Sequence, residues 1–137
     1  MKVRDIMTKD VAYVRPEDSV YQAAQLMHQE NVGAIPVCDN NGVVGMVTDR
    51  DIVVRNVVSG ADPKTTPVSN IMTTGVATVT PDTDVNKIGG IMSQHQVRRL
   101  PVVENNKLVG IVSLGDLAVD ERTDMEAAFA LTDISKP

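Results

Sequence analysis

The chain has 137 residues, of which 42% are apolar and 23% charged, so it can bury a core and is not expected to be globally disordered. A net charge of −5 and only three aromatic residues argue against binding to a nucleic-acid backbone or stacking on unpaired bases. The lone Cys38 excludes an internal disulfide, and no apolar run is long enough for a membrane span or a leader peptide. We therefore expect a cytoplasmic protein with no membrane insertion and no nucleic-acid partner.

The chain contains an internal repeat. Shifted by 65 residues, positions 3–55 align with positions 68–120 without a gap, and roughly two positions in five are identical. We divide the chain into repeat 1 (1–58), a linker with glycine and prolines (59–67), repeat 2 (68–120) and a tail (121–137). A unit of this size buries little surface alone, so the two repeats are expected to pack face to face around a shared core.

A short strand and an amphipathic helix are predicted at the start of each repeat. The strands are expected at residues 11–14 and 76–79, each followed by a proline. Asp18 and Thr83 stand where the helix N-caps are expected. The apolar helix positions are Val20, Ala23, Ala24 and Met27, then Val85, Ile88, Gly89 and Met92. These helices carry more apolar residues than one shared core consumes, which predicts a homodimer.

A β-hairpin and a second helix complete each repeat, giving the order β-α-β-β-α. The hairpins are expected over residues 34–47 and 100–112, each with an Asn-Asn turn. The second helices are expected at about residues 49–58 and 115–121. In the tail, the residues expected to form one short apolar helical face are Met125, Ala128 and Phe129.

A Ser/Thr-x-x-Asp pattern marks the start of each second helix, as Thr48 with Asp51 and as Ser113 with Asp116. One interpretation is a capping box, which contributes about 1 kcal/mol to stability and needs no ligand. The other is a nucleotide contact, because a helix start attracts phosphate and a carboxylate can accept both ribose hydroxyls. Spacing alone leaves both open, and one residue can fill both roles.

Two further patterns accompany these caps. Each cap lies in a stretch of the form Gly-apolar-apolar-Ser/Thr-x-x-Asp, at residues 45–51 and 110–116, and the chain opens with Asp5-Ile6-Met7-Thr8. Together with the element order, these motifs resemble the cystathionine-β-synthase (CBS) domain family over about 118 residues. The resemblance implies an α+β fold in which two β-α-β-β-α CBS repeats pack as a pseudo-twofold disc, a stand-alone Bateman module of bacterial or archaeal type.

The resemblance implies a regulatory sensor, not an enzyme. No Gly-x-Ser-x-Gly, phosphate-loop or dinucleotide motif is present. The implied ligand is an adenine nucleotide (AMP, ADP or ATP) in the cleft between the repeats, with or without Mg, and no other cofactor or metal is expected. The implied partners are an unidentified effector protein and a second copy of the chain. The alternatives are a ligand-free dimerisation or interaction module, or a sensor of S-adenosylmethionine, NAD or a cyclic dinucleotide.

The resemblance also divides the candidate binding residues between two sites. In the first, Arg99 faces the phosphate of the ligand whose ribose Asp51 holds. In the second, Ala34 replaces that arginine, so phosphate is expected to bind more weakly. The first set is Thr48, Arg50, Asp51, Val76, Ala77, Arg98, Arg99, Leu100 and Pro101. The second set is Val11, Ala12, Ile35, Pro36, Ser113 and Asp116. Arg50 and Arg98 have the alternative interpretation of exposed cations.

The histidines and the cysteine give no metal or catalytic signal. His28 and His95 are not matched between the repeats, and neither has a second His or Cys at ligand spacing. Both are expected at exposed helix ends. Cys38 aligns with Val103, so we expect it to be a small core residue and not a nucleophile.

Overall fold

The computed structural model of the protein describes residues 1–119 and 124–135. The chain folds into two compact units. The hairpin-1 unit is Ala12–Val76, and the hairpin-2 unit combines Met1–Val11 with the described chain from Ala77 onward. Each unit therefore contains the hairpin of one repeat and the opening segment of the other, an exchange that the alignment of the repeats does not reveal.

The hairpin-1 unit is built from one long helix, a hairpin and a helix of mixed type. Its closing segment contains a short 3-10 turn, Val68–Asn70. The main elements are α1 (Val20–Glu30), β1 (Ala34–Asp39), β2 (Gly42–Thr48) and α2 (Asp49–Asp51), which continues as a π-helix over Ile52–Val57. This helix corresponds to the one predicted at residues 49–58.

The hairpin-2 unit repeats this plan and adds a helix. Short 3-10 turns lie at Val3–Asp5 and Val85–Lys87. The main elements are α3 (Ile88–His95), β3 (Arg99–Glu104), β4 (Lys107–Ser113), α4 (Leu114–Val119) and α5 (Asp124–Ser135). The α+β class and the paired repeats are confirmed. The second helix of repeat 2, α4, begins at Leu114, one residue earlier than expected. Its expected end at residues 120–121 lies outside the described residues.

The two hairpins are antiparallel and share one register. Ala34 pairs with Thr48 in the first, and Arg99 pairs with Ser113 in the second. Both ladders shift by one residue at the equivalent point, between Val37 and Cys38 and between Val102 and Val103. In the second turn both asparagines adopt positive φ, 53° and 63°, as a two-residue turn of the primed type requires.

The predicted opening strands are shorter than expected. Instead of a strand at residues 11–14 or 76–79, the structure has single parallel bridges, Val14 to Val37 and Val79 to Val102. The prolines that follow these segments fix φ and lack the amide hydrogen that a longer ladder needs. Each predicted strand is therefore a segment that bridges to the hairpin at a single residue.

The repeated Ile-Met-Thr segments explain two glycines. Thr73 forms an antiparallel bridge with Met46 of β2, and Thr8 forms the equivalent bridge with Ile111 of β4. A Cβ on Gly45 would lie 2.8 Å from the Thr73 carbonyl oxygen, and one on Gly110 would lie 2.8 Å from that of Thr8. Only glycine at these positions lets the Ile-Met-Thr segment, which we call the crossing segment, lie this close to the hairpin.

The predicted N-caps are wrong by one residue. The cap of α1 is Ser19, which accepts from the Gln22 amide at 3.1 Å, and the cap of the equivalent 3-10 turn is Asp84. Asp18 instead accepts from the Arg15 amide at 2.8 Å, and Thr83 accepts similarly from Thr80. Adjacent polar residues compete for these roles, and here the earlier one closes the turn before the helix.

The apolar faces of the first helices are used inside their own units. Val20, Ala23 and Met27 are buried in the core of the hairpin-1 unit, and Ile88 and Met92 in that of the hairpin-2 unit. The surplus of apolar residues that we expected on these helices is therefore small, with Tyr21 of α1 41% exposed. A larger group of exposed apolar residues lies on and directly after the π-helix that continues α2: Val53, Val54, Val57 and Val58.

The tail forms α5, but a different face is buried. Ala127 and Ala130 are buried, whereas Ala128 is exposed and Met125 and Phe129 are 64% and 66% exposed. Helix α5 packs against α3 and α4. Its small residues allow close contact, since a Cβ on Gly89 would lie 3.6 Å from the Ala130 Cβ. The predicted apolar face of Met125, Ala128 and Phe129 is therefore the exposed side of α5.

Candidate functional site

Thr48 and Asp51 form a reciprocal cap at the end of β2. The Asp51 amide donates to Thr48 Oγ1 at 3.0 Å, and the Thr48 amide donates to Asp51 Oδ2 at 3.0 Å. Thr48 keeps an extended backbone while helix α2 starts at the next residue. Asp51 is only 8% exposed, so its carboxylate is held at a buried helix start. This is the capping box that the spacing predicted.

Two further groups contact the Asp51 carboxylate. The Thr73 hydroxyl lies 3.3 Å from both carboxylate oxygens, and Arg55 Nε lies 3.8 Å from Oδ1. The same guanidinium donates through Nη1 to the carbonyl oxygens of Ile71 and Met72, both at 3.2 Å. Thr73 and Arg55 were not among the site residues predicted from the sequence. The repeated Ile-Met-Thr motif was the available signal for Thr73, since it occurs before both hairpins.

Ser113 and Asp116 form the equivalent cap at the end of β4. The Ser113 amide donates to Asp116 Oδ2 at 2.8 Å, and the Asp116 amide donates to Ser113 Oγ at 3.1 Å. Asp116 is half-buried. Thr8 is the repeat equivalent of Thr73, but within residues 1–119 and 124–135 its hydroxyl makes no hydrogen bond to Asp116. The two caps therefore share geometry and differ in what holds the carboxylate.

The predicted strand residues lie next to the caps in the hairpin register. Ala34 is opposite Thr48, and the Gly33 carbonyl accepts from the Asp49 amide at 2.9 Å. Arg99 is half-buried opposite Ser113, and the Arg98 carbonyl accepts from Leu114 at 2.8 Å. The buried strand residues of the candidate sets are Ile35, Pro36, Leu100 and Pro101. Within its own unit, Arg99 is thus a neighbour of the Ser113 cap.

The residues expected to flank the base lie where the chain passes from one unit to the other. Val11 and Ala77 belong to the hairpin-2 unit, and Ala12 and Val76 to the hairpin-1 unit. All four are half-buried in extended segments. The candidate sets therefore draw residues from both units, and their joint participation in one site stays a prediction.

The remaining predicted residues are surface groups. Arg50, Arg98, His28 and His95 are exposed, as is Asp49, which accepts from the Arg50 amide at 2.8 Å. In the described part of the chain, no three His, Cys, Asp or Glu residues come together in a way that could hold a metal ion. None of the described helices has the length and apolar character needed to cross a membrane.

Cys38 is buried on β1, and burial raises the pKa of its thiol to about 11, with a smaller contribution from Asp39. Because the thiolate is the reactive form, we expect slow alkylation by iodoacetamide in the native protein at pH 8 and fast alkylation in urea, where the pKa returns to about 8.5. The free energy of unfolding should fall above pH 8.5, because the unfolded thiol ionises first. Labelling rates with and without urea test the alkylation prediction, and equal rates would contradict it. In the Cys38→Val control, which copies Val103, the labelling should disappear.

Comparison with known proteins identifies the family. The CBS domain profile matches residues 3–56 and 68–128. The CBS domain-containing protein YhcV of Bacillus subtilis is 48% identical over 133 residues, covering 97% of this chain and 94% of that protein.

Solved structures give the same result. A crystal structure of Hypoxic Response Protein I with two coordinated zinc ions superposes with a TM-score of 0.79 at 36% identity, covering 86% of this chain and 97% of that one. The CBS domain pair of protein MJ0100, in complex with 5′-methylthioadenosine and S-adenosyl-L-methionine, superposes with a TM-score of 0.76 at 27% identity over 86% and 93%. The chain belongs to the CBS domain family as a tandem pair of CBS repeats.

Proposed function

We propose that this CBS pair is a regulatory module that binds an adenine nucleotide and modulates a partner protein, without chemistry of its own. The observation that supports this most is the MJ0100 pair, a CBS pair of similar fold that holds two adenosine derivatives. The adenosine part is common to those ligands and to AMP, ADP and ATP. A module that responds to such ligands is expected in the cytoplasm.

The caps supply the chemistry that an adenosine ligand needs. The carboxylates of Asp51 and Asp116 can each accept the two hydroxyls of a ribose in charge-assisted hydrogen bonds. The Thr48 and Ser113 hydroxyls lie beside the helix starts, where a phosphate is favoured. We predict that Arg99 contacts the phosphate of the ligand held by Thr48 and Asp51, and that Val76 and Ala77 flank its base.

A thermal-shift panel tests this function and separates it from the alternatives. A ligand at about 100 Kd should stabilise the folded state by about 2.7 kcal/mol. We expect AMP, ADP or ATP to raise the Tm, with smaller shifts for NAD and cyclic dinucleotides. A response to S-adenosylmethionine alone would change the ligand assignment. No response to any ligand of the panel would favour the ligand-free interaction module, in which the Thr48–Asp51 and Ser113–Asp116 pairs act only as helix caps.

We also expect the chain to be a homodimer. Val53, Val54 and Val57 on the short π-helix that continues α2 and Val58 directly after it are between 48% and 77% exposed, and such apolar clusters commonly mark interfaces. Light scattering at micromolar concentration should give twice the chain mass. Val57→Glu should shift the mass towards the monomer, since a charge at the interface is costly to bury. A monomer in the unchanged protein, with and without nucleotide, would contradict the prediction.

A further inference from the structure

The Asp51 carboxylate is already well satisfied before any ligand binds. It accepts from the Thr48 amide, it has the Thr73 hydroxyl between its two oxygens, and it lies beside the Arg55 guanidinium. A carboxylate offers about four acceptor positions. Because Asp51 is only 8% exposed, little of it is free for a further partner.

The position of the Thr73 hydroxyl matters most. A ribose binds a carboxylate through two adjacent hydroxyls, one to each oxygen. The Thr73 hydroxyl is 3.3 Å from each of those oxygens, so it already occupies acceptor positions that a diol would use. A ribose that binds Asp51 through both oxygens competes with the Thr73 hydroxyl for them.

Arg55 links the Asp51 carboxylate to the backbone of the residues just before Thr73. Its guanidinium lies beside Asp51 and donates to the carbonyls of Ile71 and Met72. Thr73 follows directly, and its amide and carbonyl pair with Met46 of β2. Arg55 and Thr73 therefore fasten one short segment to the helix that starts at the candidate site. Three residues after Thr73, the chain leaves the hairpin-1 unit.

The equivalent position in the hairpin-2 unit lacks this arrangement. Of the described residues, only Ser113 is hydrogen-bonded to the Asp116 carboxylate, and Thr8 is exposed. Residue 120, the repeat equivalent of Arg55, is an aspartate in the sequence and cannot supply a cation. The chain thus contains a matched control, with the same cap but without the additional partners.

We propose that Thr73 and Arg55 are positioning residues that latch the Asp51 carboxylate, and that a ribose at Asp51 opens the latch by displacing the Thr73 hydroxyl. This deepens the proposed function and depends on it. The Thr73 bond lowers affinity at this site, and its release reports occupancy to the segment that connects the two units. The Ser113–Asp116 cap has no such latch.

The latch is tested first without ligand, by a double-mutant cycle on the unfolding equilibrium. Asp51→Asn and Thr73→Val keep the shapes of the side chains, so both variants should fold. Contacting residues are coupled, and we expect the paired changes to depart from additivity by about threefold or more in the unfolding constant. The matched cycle of Asp116→Asn with Thr8→Val should be additive. Additivity in the first cycle would overturn the proposal.

The second measurement is titration of the full chain with AMP. Release from one hydrogen bond should tighten AMP binding of Thr73→Val by about two- to tenfold, with Thr8→Val unchanged. If the unchanged protein binds AMP and Thr73→Val binds no more tightly, the latch is wrong and the proposed function stands. If neither protein binds any adenine nucleotide, the proposed function fails, and the latch fails with it as a ligand-operated device.

Discussion

Replacing Asp51 by alanine is expected to weaken AMP binding by about ten- to a hundredfold. The ribose hydroxyls would lose a charged acceptor, and hydrogen bonds to charged groups contribute about 1.5–3 kcal/mol. The same change removes the reciprocal cap with Thr48 and leaves Arg55 without its carboxylate partner. The free energy of unfolding should therefore fall as well, by about 1 kcal/mol for the cap alone. Calorimetric titration and urea denaturation of one variant measure both effects.

The two measurements separate ligand binding from capping. If Asp51 is only a cap, Asp51→Ala lowers stability and leaves the Kd for AMP unchanged. The matched variant is Asp116→Ala, which removes the equivalent cap of the hairpin-2 unit. It should also lower stability by about 1 kcal/mol, with little effect on the tighter AMP site that we assign to Asp51 and Arg99. An equal loss of affinity in both variants would contradict this ranking of the two sites.

Gly45→Ala is expected to destabilise the protein by about 1–3 kcal/mol, the usual cost of overpacking. The new methyl group would lie 2.8 Å from the Thr73 carbonyl oxygen and 2.9 Å from Met72 Sδ. A thioether can rotate away, but the backbone carbonyl is fixed by its hydrogen bond from the Met46 amide. The crossing segment must therefore move away from β2. Urea denaturation gives the change in the free energy of unfolding.

Gly90→Ala is the control for this prediction. Gly90 lies in α3 with no atom within 4 Å of a Cβ placed on it. Alanine there should stabilise the protein by about 0.5–1 kcal/mol, because glycine in a helix costs more conformational entropy. Gly110→Ala should resemble Gly45→Ala, since its Cβ would meet the Thr8 carbonyl oxygen at 2.8 Å. A Gly45→Ala protein as stable as the unchanged chain would show that the crossing segment yields easily.

Much of the local structure was predictable because it depends on short-range chemistry. The hairpins follow from short continuous apolar runs around an Asn-Asn turn, and the reciprocal caps follow from the Ser/Thr-x-x-Asp spacing. The repeat doubled each signal. Such patterns predict what each segment forms but contain little information about which distant segment it contacts.

The exchange of opening segments was not predictable for that reason. Thr73 and Arg55 meet at Asp51 because the Ile-Met-Thr segment of one repeat lies against the hairpin of the other. No periodicity within either repeat encodes that contact. The glycines gave a weak signal, since Gly45 and Gly110 recur at one strand position, but recurrence alone does not identify the segment that approaches them.

The errors at helix faces and caps have a different cause. For the tail, the sequence predicts an apolar face of Met125, Ala128 and Phe129 but not which side of the helix is buried, and close packing of α5 buries Ala127 and Ala130 instead. For the first helices, two polar residues compete at each N-terminus, and sequence does not decide between them. Both outcomes depend on tertiary contacts that a single sequence does not specify.

The central claim is that this CBS pair binds an adenine nucleotide, and calorimetric titration of the full chain with AMP tests it most directly. We predict saturable binding with a stoichiometry near one AMP per chain, and the same stoichiometry for ATP. Adenosine should bind more weakly, since it lacks the phosphate that we assign to Arg99. Absence of binding heat for AMP, ADP and ATP, together with no change in Tm at millimolar nucleotide, would contradict the claim.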